Sequence, residues 1–262
     1  MDGRSKGPLA RLVCHCLLVE TPSSGLVLVD TGYGLKDVLD PHPRMSRMMR
    51  GLLNIRLRER ETALRQVEAL GYSARDVRHI VLTHLDFDHA GGLEDFPEAK
   101  VHLTRAELSA AQRRDGGIAS KKRYRPMQLD GVHGWRDYEA SSGDRWFGFD
   151  AVRDLEGLPP EILLVPLQGH TWGHAGVAVQ AADGWLLHAG DAYFYRGEMR
   201  GPRRKCTPGL RAYQTMMEVD REQRKANQER LRRLSVEHSD ALRIVCAHDA
   251  VELEACAAGK PL

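Results

Sequence analysis

The chain has 262 residues, enough to bury a sizeable core, and this length favours a single domain over residues 1–262. Its 38 basic and 36 acidic side chains leave a net charge of +2. This balance excludes the large positive excess expected of a protein whose main partner is a phosphate backbone, so we expect no nucleic-acid partner. No apolar run reaches the roughly 18 residues that a membrane span needs, and we expect no membrane partner.

The five cysteines show no paired C-x-x-C spacing, which argues against a structural zinc knot or a disulfide framework and favours a cytoplasmic location. Cys14 and Cys16 share one face of a predicted strand, where we expect small buried apolar residues. The basic clusters “KKRYR” (121–125) and “PRRK” (202–205) are predicted to be solvated loops or helix faces.

Apolar periodicity and turn residues predict the elements of the first half in this order: strands over 11–19 and 26–30 joined as a hairpin, a helix over 60–70, a capped turn at 73–76, and strands over 79–83 and 100–104. The second half continues with a helix over 105–113, an irregular stretch over 114–160, strands over 161–167, 175–180 and 184–190, a basic helix over 217–235 and a strand over 242–247. This interleaving predicts an α/β protein with mixed sheets.

Metal-capable side chains follow four of the predicted strands. They are His84, Asp86, Asp88 and His89 in “THLDFDHAGG” (83–92), His170 in “GHTWGH” (169–174), Asp191 in “HAGD” (188–191) and His248 in “AHD” (247–249). A single histidine at a strand end indicates little, because such residues are commonly hydrogen-bonded surface groups. Seven residues at strand ends, where function gathers in layered α/β folds, predict one shared site.

These motifs, together with “LVDTG” (28–32) and in this order, resemble the metallo-β-lactamase-fold hydrolases. The stretch from Gly71 through “VHLTRAEL” (101–108) resembles the lactonase branch most, and that branch often carries a helical insertion where residues 35–58 lie here. The resemblance implies a four-layer αββα sandwich with a metal site at the edge of the two mixed sheets.

The resemblance also implies two divalent metal ions, with zinc favoured and iron or manganese as alternatives. The residues that it assigns to them are His84, Asp86 and His170 for the first ion, Asp88, His89 and His248 for the second, and Asp191 as the bridge. It implies supporting roles for His174 and for Asp30, whose side chain is expected to fix neighbouring loop backbone rather than to touch metal.

Asp86 departs from the usual H-x-H-x-D-H motif of these hydrolases. A carboxylate is still a competent ligand for zinc and a better one than imidazole for manganese, and the flavodiiron members carry a glutamate at this position. The exchange removes about one unit of positive charge, so we expect weaker Lewis acidity. On the sequence alone, Asp86→His should keep metal binding and shift the preference toward zinc.

The reaction implied is hydrolysis of a small ester-like substrate, a lactone in the first place, by a metal-bridging hydroxide. Asp88 or Asp191 would pass the proton to the leaving group, and Tyr193 or Tyr195 would donate a hydrogen bond to the oxyanion. Aromatic residues from 114–160, together with the 35–58 segment, are expected to wall the pocket.

Three alternatives remain open at this point: an iron-dependent redox enzyme of the same fold, a phosphodiesterase or nuclease, and a metal-poor binding protein. The missing appended flavodoxin or rhodanese domain counts against the first, and the missing basic arms count against the second. Six unchanged ligands of seven count against the third. The sequence leaves the oligomeric state open, a dimer included.

Overall fold

The computed structural model describes residues 11–42, 44–114, 123–139, 144–151, 154–200 and 203–260. Its strands are β1 (Leu17–Thr21), β2 (Gly25–Val29), β3 (Val77–Val81), β4 (Lys100–Thr104), β5 (Trp135–Tyr138), β6 (Asp144–Trp146), β7 (Phe149–Ala151), β8 (Ile162–Pro166), β9 (Ala175–Ala181), β10 (Gly184–His188) and β11 (Leu242–Val245). Its α-helices are α1 (Leu35–Leu39), α2 (Arg47–Leu52), α3 (Ala63–Ala69), α4 (Arg105–Arg113), α5 (Pro126–Leu129), α6 (Pro208–Met217), α7 (Arg221–Glu237) and α8 (Ala250–Ala257).

The strands form two mixed sheets and one small hairpin. Sheet 1 has the order β1-β2-β3-β4-β5, in which β1 and β2 are antiparallel and the remaining neighbours are parallel. Sheet 2 has the order β11-β10-β9-β8, in which only β10 and β11 are parallel. Strands β6 and β7 pair with each other as the hairpin. The predicted α/β class with mixed sheets is confirmed.

Three apolar clusters separate the layers. Val29 and Val81 of sheet 1 meet Leu164 and Val177 of sheet 2, so one cluster lies between the sheets. On the other face of sheet 1, the apolar side of α3 packs through Val67. On the other face of sheet 2, α7 packs through Leu231 and Leu234. Helix, sheet, sheet and helix therefore follow one another, which is the predicted αββα arrangement.

The element boundaries differ from the sequence prediction in two informative places. The predicted helix over 217–235 begins later, as α7, because Glu218 leaves the helical conformation and Asp220 caps α7 by accepting a hydrogen bond from the backbone N–H of Gln223. The sequence prediction missed α6, which ends at Met217. The predicted irregular stretch over 114–160 contains α5 and strands β5 to β7.

The 35–58 segment carries helices α1 and α2, and its status as an insertion stays a prediction. The five cysteines are all free thiols, as predicted. Within the described ranges, no helix combines the length and the apolar character needed to cross a bilayer.

Candidate metal centre

The metal-capable residues lie in loops that follow β3, β8, β10 and β11, at the carboxyl ends of these strands. Among the strands that lead into these loops, β3 runs parallel to its neighbour β2 in sheet 1, and β10 runs parallel to β11 in sheet 2. Because the carboxyl ends of parallel neighbours reach the same edge of a sheet, loops far apart in the sequence meet there.

A first set of four buried residues brings its ligand atoms within 4.8 Å of one another: His84, Asp86, His170 and Asp191. Asp86 Oδ2 lies 3.4 Å from His84 Nε2 and 3.0 Å from His170 Nε2. Asp191 Oδ2 lies 3.8 Å from His84 Nε2 and 3.3 Å from His170 Nε2. Each carboxylate thus presents one oxygen to both imidazoles.

A second set shares Asp191 with the first and adds His89 and His248. The other oxygen of Asp191, Oδ1, lies 3.3 Å from His89 Nε2 and 3.0 Å from His248 Nε2. Asp88 stands beside this set, with Oδ2 at 3.8 Å from His248 Nε2. All seven predicted ligands therefore meet at one edge, and Asp191 faces both sets.

The donor atoms of the two sets fit a divalent transition metal. Ligands about 2.0–2.2 Å from a tetrahedral zinc ion lie roughly 3.4 Å apart, close to the separations in the first set. Nε2 of His84, Nε2 of His89 and Oδ1 of Asp191 are buried and have no hydrogen-bond partner in the described part of the chain. Since unpaired buried polar atoms are costly, these atoms suit the binding of a cation.

The opposite ring nitrogens are held by fixed partners. Nδ1 of His89 lies 2.8 Å from Asp30, and Nδ1 of His84 lies 2.9 Å from the Thr83 hydroxyl. Nδ1 of His248 donates to the carbonyl of Val13 at 2.6 Å. These contacts orient Nε2 toward the sets, as the outer partners of metal-binding histidines do.

Asp30 and His174 have the supporting roles expected of them. Asp30 accepts hydrogen bonds from the backbone N–H and the hydroxyl of Thr83, both at 2.8 Å. Burial would raise the pKa of Asp30, but the neighbouring His89 lowers it to about 2. His174 accepts a hydrogen bond from the backbone N–H of Asp191 at 2.9 Å.

Charges within the sets stabilise the ionised carboxylate that they share. Burial would raise the pKa of Asp191, but His248, His89 and His170 hold it well below its ordinary value. In return, Asp191 raises the pKa of His248 to about 8 against the opposing effect of burial. Because a metal ligand must be unprotonated, a cation at this set would compete with a proton for His248.

Comparison with known proteins identifies the family to which the chain belongs. The sequence matches the metallo-beta-lactamase superfamily over residues 9–248. The chain belongs to this superfamily. A probable metallo-hydrolase of Mycobacterium tuberculosis (strain H37Rv) is 46% identical over 239 residues, which cover 91% of this chain and 75% of that protein.

Lactonases of the superfamily are similar in sequence and in structure. An N-acyl homoserine lactonase of Bacillus cereus is 33% identical over 181 residues, 69% of this chain and 64% of that protein. A solved N-acyl homoserine lactone hydrolase with product bound at its catalytic metal centre has a TM-score of 0.68 at 21% identity and covers 97% of this chain and 89% of its own. AidC, a dizinc quorum-quenching lactonase, has a TM-score of 0.59 at 16% identity and covers 90% and 72%.

Of the two predicted tyrosines of this superfamily member, Tyr193 is placed differently from expectation. The Tyr193 hydroxyl is fully buried and hydrogen-bonds to Glu252 at 3.0 Å and to the carbonyl of Ile244 at 3.3 Å, so it is engaged in the core. The half-buried Tyr195 lies under the guanidinium of Arg196, 4.9 Å from its ring centroid. The Tyr193 hydroxyl is therefore turned away from the metal-capable sets, whereas the role of Tyr195 stays a prediction.

The predicted aromatic wall from residues 114–160 is also corrected. Trp146 and Phe149 are buried in the core of sheet 2, where Trp146 packs edge-on against Trp185 at 5.5 Å. Trp135 packs on the core of sheet 1. Burial of a large aromatic side chain stabilises the fold more than burial of a small apolar one, and these residues pack against the nearby faces of the two sheets.

Three residues that were not predicted from the sequence as site residues also border the two sets. Phe194 stacks on the ring of His248 with 5.0 Å between centroids, and Tyr213 of α6 packs edge-on against Phe194 at 5.5 Å. The Cys14 thiol, expected to be only a packing group, has its sulfur within 4.8 Å of ligand atoms of Asp88 and His248. The position of Phe194 shortly after Asp191 did not indicate that it borders the site, because an aromatic residue after a strand is more often a packing residue.

The largest departure from expectation concerns the basic cluster at 121–125. Its residues Arg123 and Tyr124 are buried rather than solvated, and Arg123 has no exposed surface. Arg123 Nε lies 2.9 Å from Asp86 Oδ1. Burial would raise the pKa of Asp86, but Arg123 and then His84 hold it well below its ordinary value. The unusual aspartate of the motif thus has a charged partner.

Proposed function

We propose that this superfamily member is a dinuclear metal-dependent hydrolase of a small ester-like substrate, with a lactone as the first candidate. The observation that carries the proposal is the position of Asp191, whose two oxygens face different sets of imidazoles within 3.8 Å. One carboxylate between two histidine sets is the arrangement that a pair of cations requires.

The residues that would hold the cations are His84, Asp86 and His170 for the first, His89, His248 and Asp88 for the second, and Asp191 for both. When bound, two divalent ions, zinc in the first place with iron or manganese as alternatives, would lower the pKa of a shared water and polarise the substrate carbonyl. Because the unpaired donor atoms are nitrogen and oxygen, the site suits all three metals.

Two side chains of the protein are placed to handle protons. Asp88 is the most open carboxylate of the site, with 19% of its side chain exposed against 4% for Asp86 and for Asp191. It is therefore the group that can pass a proton to the leaving alkoxide. Burial, followed by the charges of the site carboxylates, raises the pKa of Tyr213 well above its ordinary value, so its phenol is a hydrogen-bond donor at neutral pH.

Aromatic groups near the sets support a small, partly apolar substrate. Phe194 covers His248, Tyr33 packs against Phe87 with 6.0 Å between ring centroids, and Trp172 is 39% exposed. A near-neutral chain offers no broad electrostatic track for a polyanion. Lactones are favoured because they combine an apolar body with one electrophilic carbonyl, and because similar proteins are named N-acyl homoserine lactonases.

A ring-opening assay tests the proposal by following acid release from N-acyl homoserine lactones at constant pH, with metal content measured by mass spectrometry. We expect turnover by the metal-loaded protein and its loss, by orders of magnitude, in His84→Ala, because one ligand of the first set is removed. His133→Ala, which alters an exposed histidine outside the site, should leave turnover unchanged.

Two results would contradict the lactone proposal. Turnover of phosphodiesters or single-stranded RNA with lactones untouched, lost in His84→Ala, would make the protein a nuclease or phosphodiesterase. A native protein that binds no zinc, iron or manganese would remove the basis for a metal-dependent hydrolase.

A further inference from the structure

Arg123 is held inside the protein by contacts with three other residues. Its Nη1 donates to the carbonyl of His170 at 2.8 Å, and its Nη2 donates to the carbonyl of Met217 at 2.5 Å. Its Nε faces Asp86 Oδ1 at 2.9 Å. The guanidinium is therefore fixed against a loop that carries first-set ligands.

The two oxygens of Asp86 have separate tasks in this geometry. Oδ1 faces Arg123, whereas Oδ2 lies within 3.4 Å of the Nε2 atoms of His84 and His170. The contact of Arg123 Nε with Oδ1 is an ion pair without hydrogen-bond geometry, so its effect on Asp86 is mainly that of charge. A carboxylate with one oxygen in such an ion pair presents the other as a single ligand atom, in the way that an imidazole presents one nitrogen. Arg123 Nη2 also lies 3.5 Å from His170 Nε2, so its positive charge borders the first set directly.

We propose that Asp86 and Arg123 act as one unit that replaces a histidine ligand: Arg123 fixes Asp86 as a one-oxygen ligand and cancels its negative charge at the first set. This inference rests on the proposed function, since it assumes that the first set holds a cation. Asp86, Asp191 and Arg123 together carry a net charge of about −1, which Asp191 alone would give if position 86 held a neutral imidazole.

The unit reverses the expectation drawn from the motif for Asp86→His. With Arg123 in place, an imidazole at position 86 would face an uncompensated, buried guanidinium beside the cation. A buried charge that loses its partner is strongly unfavourable, and like charges at close range weaken cation binding. The histidine of the usual motif should therefore be harmful here unless Arg123 is neutralised at the same time.

A double-mutant cycle tests this coupling in the full chain with zinc as the probe. Zinc content is measured by mass spectrometry and affinity by competition with a chromophoric chelator, for the native protein, Asp86→His, Arg123→Gln and the double variant. We expect two zinc ions in the native protein, and in Asp86→His one zinc with first-set affinity lowered by about 10- to 100-fold. The double variant should regain the second zinc.

The second set provides an internal control, because the zinc retained by His89, Asp191 and His248 reports a folded chain. Arg123→Lys separates charge from geometry: it keeps the positive charge, so Asp86→His should remain harmful in that background. Arg44→Gln is the matched control, since Arg44 is a buried arginine paired with Asp37. Adding it should not rescue Asp86→His.

The proposal is overturned if Asp86→His binds two zinc ions as tightly as the native protein, or if Arg123→Gln fails to restore the second zinc to it. These outcomes leave two ions on the native chain and so differ from failure of the proposed function, in which the native chain binds none.

Discussion

Tyr213 is a proposed site residue that lies outside every motif. It projects from α6, more than 20 positions after Asp191, and reaches the site through its contact with Phe194. The Tyr193 hydroxyl, expected to serve the site, lies closer in sequence but is hydrogen-bonded to Glu252. Proximity along the chain was therefore a poor guide, because the side chain of Tyr193 packs in the core of sheet 2.

We predict that Tyr213→Phe lowers kcat for lactone hydrolysis on the order of 10²-fold while metal content stays constant, because it removes one donor to the developing oxyanion. Steady-state kinetics with mass-spectrometric metal analysis measure this. Tyr72→Phe, at a tyrosine whose hydroxyl hydrogen-bonds to Glu20, is the matched control and should change kcat little. Equal loss in both variants, or no loss in Tyr213→Phe, would refute the assignment.

The convergence of the seven proposed ligands could be predicted from the sequence because the strand-end motifs are local patterns with a chemical meaning. Arg123 could not, because its burial depends on Asp86, 37 positions earlier, and a run of basic residues is solvated in most proteins. Cys14 was missed for a similar reason: a thiol in an apolar run is more often a packing group than a neighbour of a metal site.

At the scale of elements, helix α4 ties together two of the loops that carry ligands. Glu107 in its first turn is fully buried and accepts hydrogen bonds from the backbone N–H of Leu85 at 3.0 Å and of Gly173 at 3.1 Å. Thr104, which caps the helix, donates to the carbonyl of Gly173 at 2.5 Å. A Cβ at position 173 would lie 2.1 Å from the backbone nitrogen of Glu107, so only glycine permits this approach.

We predict that Glu107→Ala lowers the free energy of unfolding by about 1–3 kcal/mol and weakens metal binding at the first set, because two buried N–H groups lose their acceptor. Urea unfolding and chelator competition measure the two effects. Glu222→Ala, which alters an exposed glutamate in the first turn of α7, controls for the loss of negative charge at a helix start. Unchanged metal affinity in Glu107→Ala would contradict the role of α4 as a tie.

Sequence patterns predicted the bounds of the buried elements more closely than those of the short strands. Strand β4 and helix α4 have the predicted bounds, because a buried apolar run and a capping threonine mark them. Strand β3 begins two residues earlier than predicted, since Val77 and His79 pair with β2. The short strands β5 to β7 were missed because three or four residues give too little periodicity to recognise.

For the whole molecule, a buried histidine network makes stability depend on pH. His102 is buried in sheet 1, with its ring nitrogens 2.8 Å from His79 and from the Tyr138 hydroxyl. Burial, together with His79, lowers the pKa of His102 to about 3. Between this value and the ordinary value of about 6.5, the unfolded chain binds a proton that the folded chain does not, so acid favours unfolding.

We predict that the free energy of unfolding of the native protein falls relative to that of His102→Gln by about 2 kcal/mol between pH 6.5 and pH 4.5, because His102 takes up its proton only on unfolding. Urea unfolding of the metal-free proteins at both pH values measures this difference. His133→Gln, which alters an exposed histidine, should show no such change. A difference between native protein and His102→Gln that is independent of pH would contradict the assignment.

The contact between Val13 and His248 sets an order of events during synthesis of the chain. His248 is oriented by a carbonyl 235 positions earlier, and the backbone N–H of His15 donates to the neighbouring carbonyl of Ala247 at 2.8 Å. A growing chain that has passed Asp191 already possesses every residue of the first set, while the second set still waits for His248. The early segment around residue 13 must therefore remain undocked until His248 has been made, and the second set is the last part of the site to form.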